Sequence, residues 1–256
     1  MISQAELKRV RALQQKKFRS ETRRFLVQGR KVVAELLGST WRTEMILATE
    51  EGAAFIAEAA LLRKVPVHVL PAHELDRIGT FEKGNELVAV AVSPDQARFR
   101  APAESELMLA LDGVHDPRNM GSLLRIADWF GVLHVLCSQD SMEIYNPKVV
   151  QSTMGSLFRV HVRYGRLAEE LPLCAAAGAK VYFADMSGAT VYDVALARPA
   201  VLVLGSESHG LSESVRSATD ATVVSIPRVG KAESLNVAMA AAALCTEFTR
   251  QLGVRR

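Results

Sequence analysis

Short apolar runs alternate with amphipathic segments almost from one end of this chain to the other, and that alternation constrains the fold more than any single motif. Residues 24–28, 43–48, 67–70 and 87–92 have strand length, while residues 29–37 and 53–63 repeat apolar side chains at helical spacing. Beyond residue 105 the apolar runs strengthen, at 107–111, 133–137, 181–184, 201–204 and 222–226. Strands apolar on both faces suit a parallel sheet covered by helices on each side. Helical stretches at 119–130, 167–177 and 233–251 supply the crossovers that parallel strands require. The expectation is an α/β protein.

The alternation breaks once, at SPDQARFRAPAES (93–105), which has two prolines, scattered charges and no periodicity. Residues 96–105 are therefore expected to link a small α/β domain at 1–95 to a larger one at 106–256. At 256 residues, with 49% hydrophobic and 23% charged, the chain can build two cores, and those values exclude a disordered polymer. No apolar stretch approaches the ~20 residues of a membrane span. The charged N-terminus has no apolar core of a signal peptide. Cys137, Cys174 and Cys245 are far apart, which indicates neither a disulfide framework nor a zinc knuckle. A reduced, cytoplasmic protein is expected.

The net charge of +3 conceals an asymmetry. Up to Lys31 there are ten basic residues (Lys8, Arg9, Arg11, Lys16, Lys17, Arg19, Arg23, Arg24, Arg30, Lys31) against Glu6 and Glu21, a local +8 that leaves −5 for the rest. Such a stretch is the electrostatic footprint of a nucleic-acid backbone or, equally, a solvated helix face.

Familiar catalytic patterns fail. The chain has no GxGxxG turn, and GSESHGL (Gly205–Leu211) has P-loop glycine spacing but Leu211 where the phosphate-binding Lys belongs. Ser206 and Ser208 are both out of register for a nucleophile elbow. The six histidines, His209 among them, have no metal-ligand spacing, and no metal is expected. Three segments remain that join a strand end to glycine and polar residues. They are DPRNMGSLLRIA, with Asn119, Gly121 and Arg125; GSESHGL, with Gly205, Glu207 and Gly210; and IPRVGKAESLNVAMA, with Ile226, Pro227, Ser234, Leu235 and Asn236. Taken singly, each reads as a capped helix or a turn, with Asn119 and Ser234 the expected caps.

In this order, the three segments resemble the motifs of the SpoU (TrmH) family of RNA ribose 2′-O-methyltransferases, within the SPOUT superfamily. VVQSTMGSLFRVHV (149–162) is similar to the family's serine-glycine segment ahead of a strand. KKFRSETRRFLVQGRKVVAELL (16–37) resembles the opening of its small α/β RNA-binding domain. Gln28 stands where Glu is usual, and Ser208 where Gly is common.

The resemblance implies a C-terminal parallel-sheet domain tied in a trefoil knot, a homodimer, and S-adenosylmethionine as methyl donor. RNA is the implied substrate, rRNA ahead of tRNA, with a non-catalytic ribosome-assembly protein as the alternative; neither DNA nor a membrane is expected as partner. The catalytic set it implies is Arg125, Asn119, Glu207, Ser234 and Asn236. For the cofactor it implies Leu204, Gly205, Ser206, Glu207, Gly210, Ile226, Pro227, Ser234, Leu235 and Asn236. The basic residues assigned to RNA are Lys16, Lys17, Arg19, Arg23, Arg30, Arg118 and Arg125.

Overall fold

Ser3 and Glu6 cap each other reciprocally and start helix α1 (Gln4–Ala12), which buries Leu7 and Val10. Helix α2 (Lys16–Thr22) ends on Arg23 at φ 56°, a left-handed stop that turns the chain into strand β1 (Arg24–Gln28). In the computed structural model, residues 2–80 and 84–253 are described. The chain divides into two units, Met1–Asp95 with Glu143–Arg159, and Gln96–Met142 with Val160–Arg256.

The first unit continues through α3 (Arg30–Gly38), β2 (Thr43–Ala48), α4 (Glu50–Leu62), β3 (Val67–Val69), α5 (Ala72–Asp76) and β4 (Leu87–Val92). Its sheet has the order β1-β4-β2-β3, with β4 antiparallel to both neighbours and β2 parallel to β3. Helix α4 begins three residues before its apolar spacing does. Thr49 caps it by accepting from Gly52 N–H at 3.1 Å, and Glu50 and Glu51 suit its positive end.

The second unit opens with β5 (Leu107–Leu111), α6 (Pro117–Trp129) and β6 (His134–Ser138). The chain then enters the first unit as α7 (Pro147–Ser152) and a 3₁₀ turn at Ser156–Phe158, and returns as β7 (His161–Gly165). It finishes with α8 (Leu167–Ala176), β8 (Lys180–Thr190), β9 (Ala200–Leu204), α9 (Glu213–Arg216), β10 (Thr222–Ser225) and α10 (Val237–Leu252). The six strands are all parallel, in the order β10-β8-β9-β5-β6-β7. Every residue of β5 and β9 is buried, as their unbroken apolar runs require.

Residues 143–159, read from sequence as part of the second domain, pack within the first unit for a specific reason. Tyr145 lies 4.8 Å from the Phe25 ring and Phe158 lies 5.4 Å from Trp41, while Arg159 pairs with Glu35 at 2.5 Å. Burial pushes the Tyr145 hydroxyl up to about 12. The stretch 96–105 is laid onto the second unit and does not run free. Gln96 donates to the Tyr164 carbonyl at 2.5 Å, Arg163 to that of Ala97 at 3.0 Å, and Phe99 and Ala101 pack on the core.

Two helix starts differ from expectation. Asp116 caps α6 through the N–H groups of Arg118 and Asn119 at 2.8 and 2.9 Å, so Asn119 sits inside the first turn. Asn236 caps α10, which leaves residues 226–236 as an irregular loop and Ser234 with no capping role. Cys137, Cys174 and Cys245 are free and buried, and burial raises all three thiols, that of Cys174 to about 11 and that of Cys245 to about 12. Among the described residues, no helix is long and apolar enough to cross a membrane.

Candidate active site

The site lies at the carboxyl ends of the parallel strands, where open α/β sheets bind ligands. Three features of the second unit build it. The first is a bulge in β8: its pairing with β10 runs Phe183 to Val223 and then skips to Ala189 with Val224, so residues 184–188 loop out. Gly188 is required there, because a Cβ would lie 2.5 Å from the Val223 carbonyl carbon. The bulge presents Asp185, whose carboxylate accepts from Ser187 N–H and Oγ–H at 2.9 and 2.7 Å and pairs with Arg216. The Ser187 amide, then Arg216, hold its carboxyl at about 2, far below the usual range.

The second feature is the tight turn after β9. Ser206 and Gly210 exchange backbone hydrogen bonds of 3.0 and 2.9 Å, and Gly210 has φ +66°. A Cβ on Gly205 would lie 2.2 Å from the Gly210 carbonyl carbon, so the turn closes only over glycine. Buried Asp112, at the end of β5, anchors the same loop by accepting from Ser212 N–H at 2.7 Å. The third feature is the 226–236 loop, which runs from β10 to the cap of α10.

Together they enclose a cavity of about 560 Å³. Of the ten residues assigned to a cofactor, nine line it: Leu204, Gly205, Ser206, Glu207, Gly210, Ile226, Pro227, Ser234 and Leu235. Asn236 stands outside the lining but organises the polar centre. Its Oδ1 accepts from Ala238 and Met239 N–H at 3.0 and 3.3 Å, which turns its Nδ2 toward Asn119 and Glu207. That amide donates to Asn119 Oδ1 at 2.9 Å and to Glu207 Oε1 at 2.5 Å, and Val237 N–H adds a 3.3 Å bond to the same carboxylate oxygen. Three motifs far apart in sequence thus meet on one side chain.

Arg125 is exposed on α6, and no hydrogen bond or ion pair is found for it among the described residues. Arg118, also on α6, is exposed too. In the first unit Lys16 and Lys17 are exposed on α2. Arg23 is exposed but pairs with Asp95 at 2.7 Å, and Arg30 pairs with Glu86 at 2.6 Å and lies over the Phe55 ring. Arg19 corrects the expectation of an RNA contact. Only 4% exposed, it donates to both Glu143 carboxylate oxygens at 3.0 and 2.6 Å and to the Leu13 and Gln14 carbonyls at 2.9 and 2.8 Å. Its guanidinium is consumed inside the fold. Sequence reasoning missed Asp185 and Met186 on the cavity wall, because a register skip in β8 leaves no local pattern and Gly188 was its one trace; it also missed Arg216, on α9.

Comparison with known proteins matches both parts of the chain. The profile of the SpoU rRNA methylase family matches residues 106–246, and that of the MRM3-like substrate binding domain matches residues 4–89. The chain is 30% identical over 233 residues, 91% of each protein, to the 23S rRNA (guanosine(2553)-2′-O)-methyltransferase RlmP of Bacillus subtilis. A solved TrmH-family protein from Porphyromonas gingivalis superposes with a TM-score of 0.87 at 36% identity, covering 98% of this chain and 99% of that one. The SpoU methyltransferase AviRb from Streptomyces viridochromogenes, solved in complex with AdoMet, gives 0.85 at 29% identity, covering 97% and 98%. A parallel six-stranded unit with this polar centre, preceded by a small mixed-sheet domain and matched along both parts, places the chain in the SpoU rRNA methylase family.

Proposed function

We propose that this protein transfers the methyl group of S-adenosylmethionine to a ribose 2′-hydroxyl of 23S rRNA. The observation that carries this reading is the meeting of Asn119, Glu207 and Asn236 beside a cavity formed by the turn after β9 and the loop after β10. The cavity suits the cofactor. Its 560 Å³ falls within the ~300–1,000 Å³ of small-molecule sites. Leu204, Ile226 and Leu235 offer apolar walls, and the tight turn closed over Gly205 and Gly210 forms part of the lining.

S-adenosylmethionine supplies a methyl group on a sulfonium, already activated for displacement. The protein's work is therefore to align the ribose and to manage charge at its oxygen. A guanidinium stays protonated at pKa above ~12, so Arg125 acts as a fixed cation for the developing alkoxide and the adjoining phosphate. Asn119, Glu207 and Asn236 hold the polar centre rigid, and Ser234 contributes its hydroxyl on the cofactor side. Lys16 and Arg118 meet phosphates directly; Lys17, Arg23 and Arg30 do so in competition with Glu21, Asp95 and Glu86.

The functional unit is a homodimer formed through α6 and α10, on which Trp129 and Met239 are 85% and 65% exposed. The knotted threading expected of the family and a cytoplasmic location belong to the same reading. Incubating purified protein with methyl-labelled S-adenosylmethionine and unmodified 23S rRNA transcript, then digesting to nucleosides, tests it. Label is expected in one 2′-O-methylnucleoside, from protein of twice the 27.9 kDa chain mass. Label in a base, or a monomer as the active species, would contradict it.

A further inference from the structure

Three segments of the first unit meet at the start of β4. Gly29 N–H, where α3 begins, donates to the Leu87 carbonyl at 3.1 Å, and Thr49 N–H, where α4 begins, donates to that of Glu86 at 3.0 Å. Gly52 permits this approach of α4, because a Cβ there would lie 2.4 Å from the Glu86 carbonyl oxygen. The meeting gathers Arg30 of α3, Glu51 and Phe55 of α4, and Glu86. Arg30 Nε donates to Glu86 at 2.6 Å, and Arg30 Nη2 lies 3.9 Å from a Glu51 carboxylate oxygen. The guanidinium carbon stands over the Phe55 ring, 5.2 Å from its centre.

Phe55 is 50% exposed, and the burial on α4 is carried instead by Ile56 and Ala60. Its ring is nonetheless held in a fixed setting, since two carboxylates orient the guanidinium laid over it. Those carboxylates outnumber the one cation, so the corner does not draw a phosphate, which would have to displace Glu86. A nucleobase is neutral and stacks on an aromatic ring or a guanidinium plane alike. Its edge also carries N–H groups that a carboxylate accepts, and the Glu51 side chain is 82% exposed. Leu61 and Leu62, exposed farther along α4, would suit a protein partner, but such a contact has no use for a guanidinium over a ring.

We propose that Phe55 and Arg30 form a stacking platform for an unpaired base of the RNA substrate, with Glu51 accepting from the base edge; the assignment rests on the RNA-substrate reading above. The base lies on the pair and leaves the bond between Arg30 and Glu86 in place. Its contribution differs in kind from that of Lys16 and Lys17. Their phosphate contacts release counter-ions and weaken with salt, whereas stacking on a ring releases none.

Binding of the full chain to 23S rRNA transcript, measured by filter retention from about 50 to 200 mM salt, tests the assignment. The proteins compared are the wild type, Phe55→Leu, Phe55→Tyr and Arg30→Lys. Phe55→Leu keeps apolar bulk but loses the ring, so its affinity is expected to fall by about 10-fold at every salt concentration. The slope of log affinity against log salt should stay at the wild-type value. Phe55→Tyr keeps the ring and should bind within about two-fold of wild type. Arg30→Lys keeps the charge but loses the plane, and should match the loss in Phe55→Leu with the same slope. Binding by Phe55→Leu within about two-fold of wild type overturns the assignment and leaves the corner to a protein partner or to solvent. So does an equal loss in Phe55→Tyr, or wild-type affinity in Arg30→Lys, which would mark a phosphate contact. Absence of binding by the wild type defeats the RNA-substrate reading itself and is seen before any variant is made.

Discussion

Asn236 performs two tasks that no other side chain combines. Its carbonyl oxygen caps α10, and this orients its amide nitrogen onto Asn119 and Glu207. Asn236→Asp keeps an oxygen for the cap, worth about 1 kcal/mol, but sets a second carboxylate against Glu207. Asn236→Ala loses cap and donor alike. Transfer should fall by about 100-fold or more in both variants, since each removes a group that orders the polar centre. The melting temperature should fall further for Ala than for Asp, and calorimetry beside the methylation assay checks the contrast. The motif singled out Asn236, yet its cap was not legible. Ala232, Glu233 and Leu235 are good helix formers, and the tertiary bond to Glu207 overrides their propensity.

The α1–α2 hairpin shows at the scale of elements why a charge sum misleads. It counted Arg19 with Lys16 and Lys17, although Arg19 is sealed between Glu143 and the carbonyls ending α1. Removing one partner of a buried pair costs about 3 kcal/mol or more, so Arg19→Ala should lower the urea midpoint markedly. Lys16→Ala with Lys17→Ala should leave that midpoint in place and weaken binding to 23S rRNA. Each lost phosphate contact lowers the slope of log affinity against log salt by about 0.7–0.9. An unchanged slope would return α2 to a merely solvated face. Apart from β7, which buries only one residue, the strands were legible together with helices α3, α4, α6, α8 and α10, because burial imposes their patterns locally. The segment 143–159 was not, since its place depends on Phe25, Trp41, Glu35 and Arg19 far away in sequence.

For the whole molecule, parallel order explains how distant motifs become one site. Strand β9 lies beside β5, and β8 separates β9 from β10, so the loops that follow β5, β9 and β10 open at the same edge. The sequence carried the motifs and their order; the resemblance supplied their roles. The bulge that places Asp185 came only from three-dimensional register. The account stands or falls on the site at which RNA is modified. The most direct measurement maps 2′-O-methylation across 23S rRNA from cells that have the protein, lack it, or carry Arg125→Ala. One ribose methylation should vanish without the protein, return with the wild type and stay absent with Arg125→Ala. An identical methylation map with and without the protein would contradict the account.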